Sequence, residues 1–354
     1  MSQPAGPSAT GAPGGTVAPG GRPTAVDPSI DPSARARSGR GCCAFLVAAS
    51  VTLASGGCRA EAGPQPGANV LLVIGSGGSS PGRFRMPRAV AVDRESGRSY
   101  VVDRSGRIQV FSRDGDLVCW WSLPEHEYGQ PVGLTLEAPG TLLVSDSHYQ
   151  RLLRYSPLGE KLLFSWGRQG TGPGELTFGR DAVVDSEGNV YVGDYGSLND
   201  RILKFASDGR FLKEWGGRGA AHGQFDRPQG MAIERRDGRE YLLVADSNNH
   251  RVQRFDLEGR FVAAWGRLGN GSGELRYPFS VAVGSRGHIY VAEWGNNRVQ
   301  RFDPDGRPLG TWGRAGRRLG ELLTPWDVEV GPDERIYVVD KGNHRVQVFR
   351  WPDA

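Results

Sequence analysis

One nine-residue stretch, Ser247-Asn248-Asn249-His250-Arg251-Val252-Gln253-Arg254-Phe255, limits what this chain can fold into, because copies of it return at a nearly constant interval. Close copies run from Gly295 to Phe302 (Gly-Asn-Asn-Arg-Val-Gln-Arg-Phe) and from Gly342 to Phe349 (Gly-Asn-His-Arg-Val-Gln-Val-Phe). Worn copies stand at Asp200 to Phe205, Gln150 to Tyr155 and Gly106 to Phe111. The leading arginines, Arg107, Arg151, Arg201, Arg251, Arg298 and Arg345, are 44 to 50 residues apart. A period of this length belongs to arrays that repeat one supersecondary unit. Each unit holds four short apolar runs split by Gly, Asn and Asp, as in Met231 to Ile233, Tyr241 to Ala245, Val252 to Phe255 and Phe261 to Trp265. Such runs and turns predict a four-stranded antiparallel meander per unit.

Asn-His-Arg-Val-Gln after a strand ending in Asp is similar to the NHL repeat. The resemblance covers residues 69 to 350 in six ordered copies, and it implies an all-β chain folded as a six-bladed β-propeller. Outer strands are expected to end at Trp166-Gly167, Trp215-Gly216, Trp265-Gly266 and Trp312-Gly313, with Trp121-Ser122 a degraded fifth example. The last unit has no such ending, but Val70 to Gly75 carries an apolar run followed by Gly. A radial array leaves unpaired edges unless its first and last units share a blade. Residues 70–74 are therefore expected to complete the sixth blade.

Residues 1–40 are rich in Gly, Pro, Ser and Ala and hold too little apolar surface to offset chain entropy, which predicts a disordered prefix. Over 41–58 the basic flank of Arg35, Arg37 and Arg40, the thirteen-residue apolar run from Cys42 to Ala54 and then Ser55-Gly56-Gly57-Cys58 read as a signal peptide. Its end resembles the bacterial lipoprotein box, which would make Cys58 the lipidated residue and tether an exported protein to the membrane. Residues 59–68 read as a linker. The expected location is thus the periplasm or cell surface.

The rest of the chain holds 39 basic and 37 acidic residues once the four Arg and two Asp of 1–58 are set aside. That balance is no polyanion-binding signature, although some animal NHL propellers bind RNA through their loop-bearing face. Only Cys119 lies in the repeats, so no disulfide framework or thiolate metal site is expected. Glycine-rich segments at 170–174 and 269–273 run into strands rather than helices, which makes them blade connections and not phosphate loops.

Every second strand is expected to end in an acid paired with the repeated arginine: Asp103 with Arg107, Asp146 with Arg151, Asp194 with Arg201, Asp246 with Arg251, Glu293 with Arg298, and Asp340 with Arg345. A pair present in all units reads as architecture, and His250 and His344 within the motif read as turn supports. Peptidyl-amidoglycolate lyases are NHL-like propellers whose zinc-binding His follow the Pro that opens inner strands. Here those positions hold Arg88, Val132, Arg180, Gln229, Phe279 and Trp326, so no metal or other cofactor is expected. The same positions differ most between units, and Arg88, Arg180, Gln229, Phe279 and Trp326, with Tyr195 and Trp294 from turns on the same face, form the candidate binding rim.

The expectation is a monomeric, non-catalytic binding or scaffold propeller whose partner is a protein, peptide or glycan outside the cytoplasm. A propeller enzyme, either a metal-dependent lactonase or a relative of the amidoglycolate lyases, is one alternative, and an RNA-binding NHL propeller is the other if the chain is cytoplasmic. If Cys58 carries the anchor, Cys58→Ala will move the protein from the membrane to the soluble fraction, since membrane binding then rests on acyl chains alone. A membrane-bound variant, or a parent that takes up no labelled palmitate, contradicts the anchor.

Overall fold

The computed structural model describes residues 69–352 apart from 126–130, 138–139 and 197–198. The prefix (1–40), signal peptide (41–58, with Cys58) and linker (59–68) expected above lie outside the described residues. The rest forms six four-stranded antiparallel sheets, with only short 3-10 turns besides. Blades 1 to 5 occupy residues 87–122, 131–166, 179–216, 228–265 and 278–312. The inner strands of all six touch in sequence, and the sixth returns to the first, which closes the ring.

Blade 6 consists of Pro325–Val330, Arg335–Asp340 and Arg345–Arg350, and its outer strand is Val70–Ile74. Val70 pairs with Phe349 and Ile74 with Val346, so the amino-terminal strand covers the edge the last unit would otherwise expose. Gly75 follows this strand at φ +73°, as Gly266 follows its own at φ +97°, and a Cβ at either would collide with the residue capping the next blade, Phe84 or Leu275. The shared geometry makes 70–75 the sixth copy of the Trp-Gly ending with Ile74 in place of Trp.

Blade-to-blade packing explains why aromatic residues recur with the period. An outer-strand Trp meets the third-strand aromatic of the next blade: Trp121 with Tyr155, Trp215 with Phe255, Trp265 with Phe302 and Trp312 with Phe349, at ring separations of 5.8, 6.4, 6.3 and 3.7 Å. At the seam Ile74 and Leu72 pack in one cluster with Phe111. Each such side chain is withdrawn from water only because the neighbouring blade is present, which makes stability a property of the closed ring.

The repeated polar residues are spent on the same joints. The Asp246 carboxylate, fully buried, accepts bonds from the Asp226 N–H, Asn249 Nδ2, Arg251 Nε at 2.8 Å and Gln253 Nε2. Arg251 also donates to the carbonyls of Ala220, Ala221 and Gln224 in the loop entering its blade. All six expected acid–arginine pairs form, at 2.5 to 3.5 Å. Both motif histidines are turn supports: His250 Nδ1 accepts the N–H of Tyr277, and His344 Nδ1 that of Met86, each in the following blade. Asn297 does the same for Thr324. Met86, Tyr277 and Thr324 hold φ of +50 to +54°, a costly conformation for a residue with a Cβ, and these bonds fix it.

All six inner strands slip register just after their first residue. Blade 3 opens on Gly179 where the others have Pro, so Arg180 is not a post-Pro residue as the sequence reading had it, yet it shares the register. A bulge re-aims the side chains beside it, and here those are the residues that differ between blades.

Deleting residues 59–76 removes the outer strand of blade 6 and strips cover from Val346 and Val348. Losing the burial of Ile74 and part of Val70, Leu72 and Val73 is expected to cost roughly 4 kcal/mol or more, a drop in Tm of about 8 °C or more for a chain of this size. Equal melting temperatures for the truncated and parent proteins contradict closure by this strand.

Candidate functional site

The antiparallel meander sends every inner strand away from one face and brings every second strand back to it. Loops entering the blades and turns between second and third strands therefore share that face, and the channel mouth opens there. The residues closing the mouth are those just after the opening Pro or Gly, so the bulge determines what a ligand meets.

Trp326 is the centre of the cluster. Arg88 and Arg180 place their guanidinium carbons 4.9 and 4.8 Å from its ring centroid, and Lys341 Nζ lies 3.5 Å from it. Phe279 meets Trp326 edge-on at 4.7 Å and stacks on Trp294 at 5.8 Å. Arg180 Nε donates to Gln229 Oε1 at 2.6 Å. On the blade 3 side Tyr195 stacks with Phe178 and lies under Arg227 at 5.2 Å, close enough to favour the charge on Arg88 and Arg180. Of the seven candidates, Arg88, Arg180, Phe279 and Trp326 line one opening, with Gln229 bonded to Arg180 and Trp294 stacked on Phe279 beside it. Arg180, Gln229 and Phe279 are 6%, 1% and 7% exposed, so they floor the mouth, while Arg88, Tyr195, Trp326 and the more open Trp294 meet solvent.

The sequence reading passed over Lys341 and Arg104. Both stand directly after a strand-ending acid, the register that also supplies Tyr195 and Trp294, so applying that register to every unit would have found them. It also passed over Asp181 and Asp327, one residue below the rim, where other blades carry Ala89, Gly133, Gly230 and Ser280. Asp327 accepts bonds from Ser280 Oγ, the Val328 N–H and the Val90 N–H, and Asp181 from the Ala182 and Met231 N–H groups. Each carboxylate thus links inner strands of neighbouring blades. Large side chains reach the axis only at the rim, where Phe279 and Trp326 occupy the mouth itself.

Burial shifts these groups. It raises the Asp181 carboxyl to about 7, helped by Asp327, and raises Asp327 as well. It lowers the Arg180 guanidinium to about 10. Burial, then repulsion from Arg88, Arg180 and Arg104, lowers the Lys341 ammonium to about 7.

The space under the rim is about 10 Å³, room for one water at most. A wider cleft of about 400 Å³ opens beside it at the seam between blades 6 and 1, lined by Gly77, Gly78, Phe84, Arg85, Met86, Arg104 and His344. Propeller lactonases of the kind considered above use a divalent metal, and the donor set here does not suit one. Three cations crowd the mouth, the two carboxylates beneath are occupied by backbone N–H groups, and no three His, Cys, Asp or Glu among the described residues are grouped to hold an ion.

Fold and repeat define a six-bladed NHL-type propeller. Residues 86–318 match the SMP-30/gluconolactonase/LRE-like region family and residues 322–349 the NHL repeat, and the chain belongs to the SMP-30/gluconolactonase/LRE-like family. Mouse NHL repeat-containing protein 3 is 28% identical over 41% of this chain and 45% of its own length, so the chain spans about half the length of the curated relatives it matches. A gluconolactonase from Xanthomonas campestris superposes with a TM-score of 0.57 at 14% identity, covering 79% of this chain and 98% of that one. A streptogramin B lyase does so at 0.57 and 13%, covering 80% and 99%. Identities this low establish the shared fold.

Proposed function

We propose that this propeller is a non-catalytic binding module that takes its partner, a protein, peptide or glycan, on the loop-bearing face around Trp326. The reading includes export and a lipid anchor at Cys58, so that the partner is met outside the cytoplasm. The observation that carries it is the filled mouth: cations and aromatic rings stand where a propeller enzyme needs a substrate-sized, ligand-bearing pocket. Aromatic and guanidinium groups gathered in one partly desolvated cluster are the composition of an interface centre. Residues common to all blades are committed to holding them together, so a partner that recognises this propeller has to read the residues the blades do not share.

The gluconolactonase and lyase likenesses favour a second reading, an enzyme acting at the same mouth. It requires turnover of a lactone or a cyclic depsipeptide, and it requires a general acid or base reachable by substrate. Asp181 has the raised carboxyl such a role needs, but the 10 Å³ space above it admits no substrate.

Partners recovered by pull-down provide the test. Trp326→Ala is expected to weaken binding by about thirty-fold, the effect of losing a central aromatic worth roughly 2 kcal/mol. Arg251→Ala leaves the buried Asp246 without its cation, and is expected to lower Tm while leaving the affinity of the folded protein unchanged. Unchanged binding by Trp326→Ala, with loss in Arg260→Ala on the opposite face, contradicts the reading.

A further inference from the structure

Cationic side chains crowd the mouth around Trp326. Arg180 has one hydrogen bond, to Gln229, and no ion pair among the described residues. Lys341 has neither, and is held only against the Trp326 ring. Arg104 is exposed and near enough to repel both Arg88 and Lys341. Two further donors face no acceptor: Gln229 Nε2, on a side chain 1% exposed, and Trp326 Nε1. A buried donor left unmade is costly, so orphaned donors beside a Lys341 with no ion pair among the described residues indicate a missing acceptor.

We propose that the mouth is a carboxylate site, in which one carboxylate of the ligand meets Lys341 Nζ, Gln229 Nε2 and the Arg88 and Arg180 guanidinium groups, while an apolar body extends into the seam cleft over Met86 and Phe84. The proposal rests on the binding-face reading above and gives it a ligand class. Three features select a carboxylate. The opening is too small for more than a terminal group. The guanidinium and amide donors are planar and suit the oxygens of a carboxylate. The neighbouring Asp181 and Asp327 oppose the second charge of a phosphate. Arg104 lines the cleft and is near enough to Arg88 and Lys341 to repel them, which puts the cleft within reach of the mouth. The carboxylate can belong to a small organic acid or to the end of a peptide.

The groups facing Lys341 give the site a pH dependence. Arg180, lowered to about 10, stays charged from pH 6 to pH 8; Arg88 and Arg104 repel Lys341, Asp181 and Asp327 lie below, and Tyr195 and His148 stand near Arg88. Over this range Lys341 loses its charge and Asp181 gains one, and both changes disfavour an anion. Affinity therefore falls as pH rises through about 7.

Calorimetry on the folded propeller tests this with phenylacetate against phenylacetamide, a short peptide ending in free Phe against its carboxy-terminal amide, and inorganic phosphate. Expected is saturable binding of the acids, about tenfold or more tighter than of the amides, tighter at pH 6 than at pH 8, and weakened about tenfold by Lys341→Met at unchanged Tm. A preference for phenylacetate over the peptide assigns a small acid, and the reverse a chain end. Equal binding of acid and amide, tighter binding of phosphate, or no heat from either acid at about 10 mM overturns the carboxylate site. If acid and amide bind alike while a captured partner still depends on Trp326, the binding face stands and the carboxylate falls. If the acid is selected but the captured partner ignores Trp326→Ala, the carboxylate stands and the partner reading falls.

Discussion

Six carboxylates, each at the end of a second strand and fully or almost fully out of water, hold this ring in register. A buried carboxylate is costly unless its lone pairs are filled, and here each takes a bond or ion pair from the repeated arginine, most of them also taking backbone N–H groups of the loop entering the blade. That arrangement fixes the loop, and the loop sets where the inner strand begins and where its bulge falls. Burial still raises the carboxyls of Asp146, Asp194, Asp246, Glu293 and Asp340, so the pairs do not fully compensate the loss of water. Their role is better described as geometric specification than as net stabilisation.

Because the same bonds are made six times, the residues making them cannot distinguish one blade from another. Distinct chemistry is confined to positions the bonds leave free, chiefly the residue after the opening Pro or Gly and the residue after the strand-ending acid. Together these two registers yield Arg88, Arg180, Gln229, Phe279 and Trp326 from one and Arg104, Tyr195, Trp294 and Lys341 from the other. The ring brings residues up to about 250 positions apart into one mouth.

The fold was legible in the chain because each joint has its own letter: Asp and Arg for the loop clamp, His or Asn for the strained residue of the next blade, Trp-Gly for the blade exit. Even the seam could be read, since Val70 to Gly75 preserves the apolar run and the glycine that Phe84 demands. The site was legible only in part. Lys341 follows the same rule as Trp294 but carries no aromatic ring to draw attention. Asp181 and Asp327 reach the axis only through a bulge, which shifts side-chain direction without a sequence mark. The filled mouth and the seam cleft depend on side-chain volume and on Met86 meeting His344, a contact that exists only once the ring has closed.

Site-directed photo-crosslinking in the native cell tests whether a partner reads the unshared residues of this one face. A benzophenone side chain in place of Trp294 is predicted to give a discrete adduct with the partner, and one in place of Arg260, on the opposite face, to give none. An adduct from position 260 with none from position 294 would contradict that reading.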